Sequence, residues 1–185
     1  MKCVILLAAV FLLVITVVID GFQFGDMLYY PPKPHPMIKT FQYRHLAIYL
    51  GNDFPGHKGK EVIFERLNEN PACVFKELDM SERPVVCNYL DGYVDERKVV
   101  YQGGSVEDMK GRIEELQKNC GKYNVLTNNC EHLATYVRYG RKISLQEGLS
   151  GEGLSISGHH VTRLHALKFI KQQKADKKLN CEIPL

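Results

Sequence analysis

Residues Asn128-Asn129-Cys130-Glu131-His132-Leu133 spell the start of a helix with a cysteine in its first turn. Asn129 is a good N-cap, Glu131 suits the positive end of a helix, and Arg138 and Gly140 suit its close. Leu133, Ala134 and Val137 form its inward stripe, which must be buried against a second layer. A thiolate is the reactive form of cysteine, and a helix N-terminus is one of the few local settings that stabilises it.

The second layer is written in strand code. Along residues 45–50, Leu46, Ile48 and Leu50 alternate with His45, Ala47 and Tyr49, and Gly51-Asn52-Asp53 is turn chemistry, which together read as a hairpin. Residues 25–30 read as a preceding strand, after which Pro31, Pro32, Pro34 and Pro36 force an extended loop. Residues 61–67, 73–77, 85–90 and 98–102 are further short strand candidates. A helix begins after Ser105, whose spacing to Asp108 is that of a capping box. Val106, Met109, Ile113, Leu116 and Cys120 line one side of it, and Gly121 stops it. The expected class is α+β, a mostly antiparallel sheet packed against helices.

The 185 residues suit one domain flanked by segments of different character. The run from Cys3 to Ile19 is uncharged and apolar over 17 residues. That is long for a signal-peptide core and short for a spanning helix. Residues 1–22 therefore read as a signal anchor or a cleaved signal peptide, and either one commits the chain to the endoplasmic reticulum or secretory pathway. Residues 149–158 read as a Gly/Ser linker, and 159–185 as a basic helix and tail with Val161, Leu164, Leu167 and Ile170 on one face. Two readings stay open for that helix: docked on the domain, or lying on an anionic membrane surface. Net charge is only +3, and nothing marks a nucleic-acid partner. Cys73, Cys87, Cys120 and Cys181 are either two disulfides or plain buried thiols. No C-x-x-C spacing occurs, and nothing calls for a metal or a cofactor.

A cysteine nucleophile needs a base. His45 is the best placed, at the start of an amphipathic strand and opposite the Leu/Ile stripe. His132 lies two residues after Cys130 on the same helix and cannot share its face, so it reads as packing or hydrogen bonding.

Three segments together resemble one family. Gly25-Asp26, then His45 to Asn52, then Asn128 to Gly140 look like the lecithin–retinol acyltransferase domain family, which includes small phospholipase A/acyltransferases. The resemblance covers roughly residues 24–145, within a catalytic domain bounded at 23–148. It implies a circularly permuted papain-like fold, with the histidine strand ahead of the cysteine helix. It implies Cys130 as nucleophile and His45 as base, attacking a phosphatidylcholine-like ester to form a thioester. The acyl group then passes to an alcohol, an amine or water, with no cofactor and with a membrane surface as partner. The family usually carries a second histidine about a dozen residues after the first, as the orienting group. His57 has that spacing but sits in a loop-like stretch, while the strand Glu61-Val62-Ile63-Phe64 places Phe64 at the position. A C-terminal apolar segment is common in the family, and the N-terminal run and basic tail stand in its place here. Two other readings accompany the first: a membrane-associated binding module of the same fold with weak or no turnover, and a thiol hydrolase acting on peptides or amides.

Overall fold

The structure is a computed structural model that describes residues 21–34, 42–52, 54–145 and 159–181. The N-terminal apolar run and the Gly/Ser linker lie outside the described residues. Among the described residues, the strands are β1 (Met27–Pro34), β2 (Gln42–Gly51), β3 (Val62–Arg66), β4 (Cys73–Glu77) and β5 (Val85–Val86). They form one five-stranded sheet in the order β4-β3-β2-β1-β5, with every neighbouring pair antiparallel. Three α-helices accompany it: α1 (Val106–Lys118), α2 (Cys130–Tyr139) and α3 (His159–Ala175). The fold is mixed, a meandering sheet with helices, as the alternating and 3.6-residue patterns require.

The sheet buries both faces. Met27, Tyr29, Leu46, Ile48, Val62 and Phe64 pack against Met109, Ile113 and Leu116 of α1 and Leu133, Ala134 and Val137 of α2. Leu28, Tyr30, Ala47, Tyr49 and Ile63 form a smaller cluster on the other face. Central β3 is therefore buried along its whole length, Glu65 and Arg66 included. A buried charge persists only where it is paired, and both of these residues prove to matter.

Several sequence expectations need correction. Pro31, Pro32 and Pro34 do not end the first strand, which runs on to Pro34. The ladder to β2 slips between Tyr30 and Lys33, passing over two prolines that have no N–H to offer. On its other side β1 pairs with β5 only at Leu28 and Tyr29, so the proline stretch needs no partner there. The candidate strand 85–90 shrinks to Val85–Val86. Beyond it, Asn88 substitutes a side chain for the ladder: its Oδ1 accepts from the Met27 amide at 2.9 Å, and its Nδ2 donates to Asp26 at 2.8 Å. Residues 98–102 supply one bridge, Val94 to Val100, around a turn capped by Asp95. Helix α1 is capped by the Ser105 hydroxyl, which accepts from the Asp108 amide at 3.1 Å.

In α3 the buried positions are Ala166 and Ile170, whereas Leu164 is 48 % exposed. Of the expected face, Ile170 is buried and Leu167 packs against the core, while Leu164 is turned outward and Ala166 is buried in its stead. A disulfide between Cys87 and Cys181 ties the end of this segment to the sheet, and Cys73–Cys120 ties β4 to the chain leaving α1. Among the described residues no helix is long and apolar enough to cross a membrane.

The Cys73–Cys120 bridge closes a 47-residue separation immediately upstream of the cysteine helix. Loop-closure entropy assigns such a link about 4 kcal/mol. Replacing both cysteines with serine is expected to lower the free energy of chemical unfolding by that order, with a larger loss of Cys130 reactivity than the stability loss alone explains.

Candidate active site

Helix α2 starts at Cys130 because Asn129 caps it. Asn129 has extended backbone angles, its Oδ1 accepts from the His132 amide at 3.0 Å, and its own amide donates to His132 Nδ1 at 3.3 Å. This is a capping box with histidine in the place usually held by glutamate or glutamine, and it gives His132 a structural task. The Asn129 side-chain amide also donates to the Val125 carbonyl at 2.7 Å and to Ser144 Oγ at 3.3 Å. Gly140, at φ 71°, ends the helix in the left-handed conformation that glycine tolerates best.

The residue after the thiol is a buried carboxylate. Glu131 accepts from the Tyr89 hydroxyl at 2.8 Å and from Ser144 Oγ at 2.6 Å. Burial, reinforced by the Glu131 charge, holds the Tyr89 phenol well above its ordinary pKa, so it remains a donor. Ser144 lies in the segment just after α2, so the carboxylate locks the first turn onto both flanking segments.

Cys130 is 4 % exposed, and its Sγ lies 3.6 Å from the Arg44 carbonyl oxygen on β2. The next residue along that strand is His45, whose side chain is 18 % exposed and interacts electrostatically with Cys130. The Nε2 of His45 lies 2.6 Å from Glu65 Oε2 on β3. Burial disfavours the imidazolium. The interactions with Cys130 and Glu65, with the charge of both partners, outweigh it and raise the His45 pKa from 6.5 to about 9. Tyr30 of β1 covers the other side, with its ring centroid 5.5 Å from that of His45.

Arg66, next along β3, serves the opposite face. It donates to the Asn128 carbonyl at 3.1 Å, to the Cys120 carbonyl, and to Cys120 Sγ at 3.1 Å. Consecutive residues of one strand thus hold the histidine on one side and the approach to the cysteine helix on the other.

The structure brings Cys130 and His45 together and leaves His57 elsewhere. His57 sits in a turn, its amide donating to the Phe54 carbonyl at 3.0 Å, and its ring lies against Phe75 at 6.0 Å. Phe64 packs in the main core against the same Phe75. The residue on His45 is Glu65, which neither sequence alternative named. The ladder explains this: Glu65 pairs with Ala47 and Phe64 with Ile48, so Glu65 shares the face of His45 and Phe64 points to the core. A one-residue change of phase in reading β3 separates the two outcomes. The available signal is a carboxylate directly after the apolar run Val62-Ile63-Phe64. His57→Ala is accordingly expected to change the rate of any Cys130 chemistry by less than about threefold and stability by about 1 kcal/mol or less, measured by Cys130 alkylation and thermal unfolding.

Among the described residues Cys130 is the one cysteine outside a disulfide.

Comparison with known proteins identifies the family. Residues 22–143 match the family model described as lecithin retinol acyltransferase. The chain is 30 % identical to human phospholipase A and acyltransferase 4 over 122 residues, covering 60 % of this chain and 71 % of the relative. It is 30 % identical to mouse phospholipase A and acyltransferase 1 over 130 residues, or 64 % and 76 % of the two chains. A shorter match, 37 % over 62 residues, joins 34 % of this chain to 24 % of mouse lecithin retinol acyltransferase. A match spanning the sheet, α1 and the cysteine helix places this chain in the lecithin retinol acyltransferase family.

Proposed function

We propose that this protein is a phospholipid-dependent thiol acyltransferase with phospholipase A activity, in which Cys130 is the nucleophile and His45 the base. The observation that carries the reading is the placement of Cys130 at a capped helix start beside the histidine strand, its Sγ 3.6 Å from the Arg44 carbonyl oxygen, one residue before His45. With Nε2 engaged by Glu65, Nδ1 is the ring nitrogen free to take the thiol proton. The sulfur attacks the ester carbonyl of a phosphatidylcholine-like lipid, and His45 holds the proton. Amides at the start of α2 face the developing oxyanion. Collapse breaks the ester C–O bond, the leaving lysolipid oxygen takes the proton from His45, and an acyl-cysteine thioester remains. An alcohol, amine or water then gives its proton to His45 and attacks the thioester, which returns the thiolate to Cys130 and the proton to the pair. The order of elements, histidine strand before cysteine helix, fits a circularly permuted papain-like arrangement.

A lipid substrate agrees with the surroundings. Val125 and Leu126 are 54 % and 47 % exposed on the turn that leads into Asn129 and Cys130. Asn124 Oδ1 accepts from the Leu126 and Thr127 amides at 2.9 and 3.0 Å, which fixes the turn with these side chains outward. The two disulfides suit an oxidising compartment such as the endoplasmic reticulum or secretory pathway, in keeping with the apolar run in residues 1–22. The domain would work at a membrane surface on a lipid presented there.

Incubation with vesicles of radiolabelled phosphatidylcholine tests the reading. Release of lysolipid and transfer of label to an added alcohol or amine are expected; intact vesicle binding without either product would leave a binding module instead. Val125→Ser combined with Leu126→Ser is expected to reduce turnover on vesicles about tenfold, with turnover on a soluble short-chain ester changed less than twofold. That split follows if each side chain loses about 0.7 kcal/mol of apolar contact with lipid.

A further inference from the structure

We infer that Glu65 is the positioning residue that holds His45 toward Cys130, taking the place the family usually gives to a second histidine. The inference rests on the proposed reading of Cys130 and His45 as a reacting pair. Three observations support it independently of sequence spacing.

The first is geometry. Glu65 Oε2 meets His45 Nε2 at 2.6 Å, a short contact of the charge-assisted kind. An ionised carboxylate only accepts hydrogen bonds, so Nε2 must carry its hydrogen, and in the neutral ring the lone pair is left on Nδ1. That is the tautomer a base requires. A glutamine or histidine at the position leaves the choice of tautomer less constrained.

The second is burial. Glu65 is 2 % exposed, in a strand whose first three residues are apolar and whose other charged residue, Arg66, serves the opposite face. A carboxylate here is costly unless its charge is used. Its neighbours are His45 on β2, Lys76 on β4 at 3.9 Å from Oε1, and Tyr30 on β1. Lys76 is more than half exposed, so His45 is the close, sheltered partner.

The third is the space beside the pair. A cavity of about 120 Å³ opens against His45, Glu65 and Tyr30 and is rimmed by Glu77, Asp79 and Glu82. The Tyr30 hydroxyl is buried there without a hydrogen-bond partner. Lys76 also lines the cavity, so the negative charge on the Nε2 side of the ring is that of Glu65, and Cys130 on α2 is the other group that favours the charged ring. An imidazolium is favoured from both sides, in keeping with the upward shift of His45. A histidine in Glu65's place would orient the ring and add no such charge. The substitution therefore sets the pH range of the site as well as its geometry.

The test uses the full chain and three readouts: the His45 titration by NMR, the pH dependence of iodoacetamide alkylation at the Cys130 peptide, and kcat and KM on phosphatidylcholine vesicles. In Glu65→Gln the His45 midpoint is expected to fall by about 1–3 pH units. The alkylation profile should move with it. Loss of a tautomer-setting partner should lower kcat by about 10^2–10^4-fold with KM little changed. Glu65→His should recover at least tenfold of that loss, with the midpoint still low. An unmoved midpoint and alkylation profile in folded Glu65→Gln would overturn the inference, as would a wild-type His45 titrating near 6.5, which needs no variant. If wild-type protein transfers no acyl group yet Glu65→Gln moves the titration, the lipid reading fails and the positioning role stands. If acyl transfer is present and the titration stays put, only the positioning role fails.

Discussion

Cys130→Ala is expected to lower phospholipid turnover by about 10^5-fold, on the scale seen when a covalent nucleophile is removed. No other group at the start of α2 can replace the sulfur. His132 is engaged in the capping box, and the Glu131 carboxylate is turned to Tyr89 and Ser144. The fold should survive the change. The sulfur makes one weak hydrogen bond, to the Arg44 carbonyl, besides its electrostatic interaction with His45, and the side chain is small and buried, so truncation costs about 1 kcal/mol. Circular dichroism and unfolding of the variant should therefore match wild type closely. Residual activity above about one per cent, with the fold intact, would mean that the ester is attacked by something else.

His45→Gln carries the second large effect, and it has two parts. Turnover should fall by about 10^3-fold, the usual scale for a general base. The pH dependence of stability should change as well. In the folded protein His45 is raised from 6.5 to about 9, so the folded state binds its proton more tightly than the unfolded state. The resulting stabilisation is fully present below about pH 6.5 and is lost as pH rises through about 9. A shift of that size corresponds to on the order of 3 kcal/mol. Urea unfolding at a series of pH values should show wild type weakening across this window and His45→Gln staying flat. An equally steep decline in both would assign the loss to other groups.

The strands and helices that place this pair were legible in the chain for a physical reason. Period-2 alternation around Leu46 and Ile48 and the caps at Ser105 and Asn129 are local signals, and each segment formed close to its pattern. Cross-strand phase was not local. Whether Phe64 or Glu65 faces His45 depends on the ladder to β2, where the register shifts between Tyr49 and Gly51. Counting twelve residues from His45 therefore led to His57, on a turn, because the chain spends the intervening stretch before re-entering the sheet at Val62. The proline run was misread for a related reason. A proline ends a strand only where a neighbour needs its N–H, and the short β5 leaves that side of β1 unpaired. The disulfide pairing needed three-dimensional proximity, which no spacing of four cysteines supplies. In the C-terminal helix the expected face docks through Leu167 and Ile170, with Ala166 beside them, and Leu164 is left outward.

The central claim is that Cys130 carries the acyl group between donor and acceptor. Wild-type protein incubated with phosphatidylcholine and quenched in acid should gain the mass of one acyl chain by intact mass spectrometry. That mass should map to the Cys130 peptide, be released by neutral hydroxylamine, and be absent in Cys130→Ala. No adduct in a preparation that turns lipid over, or an adduct on any other residue, would contradict the account.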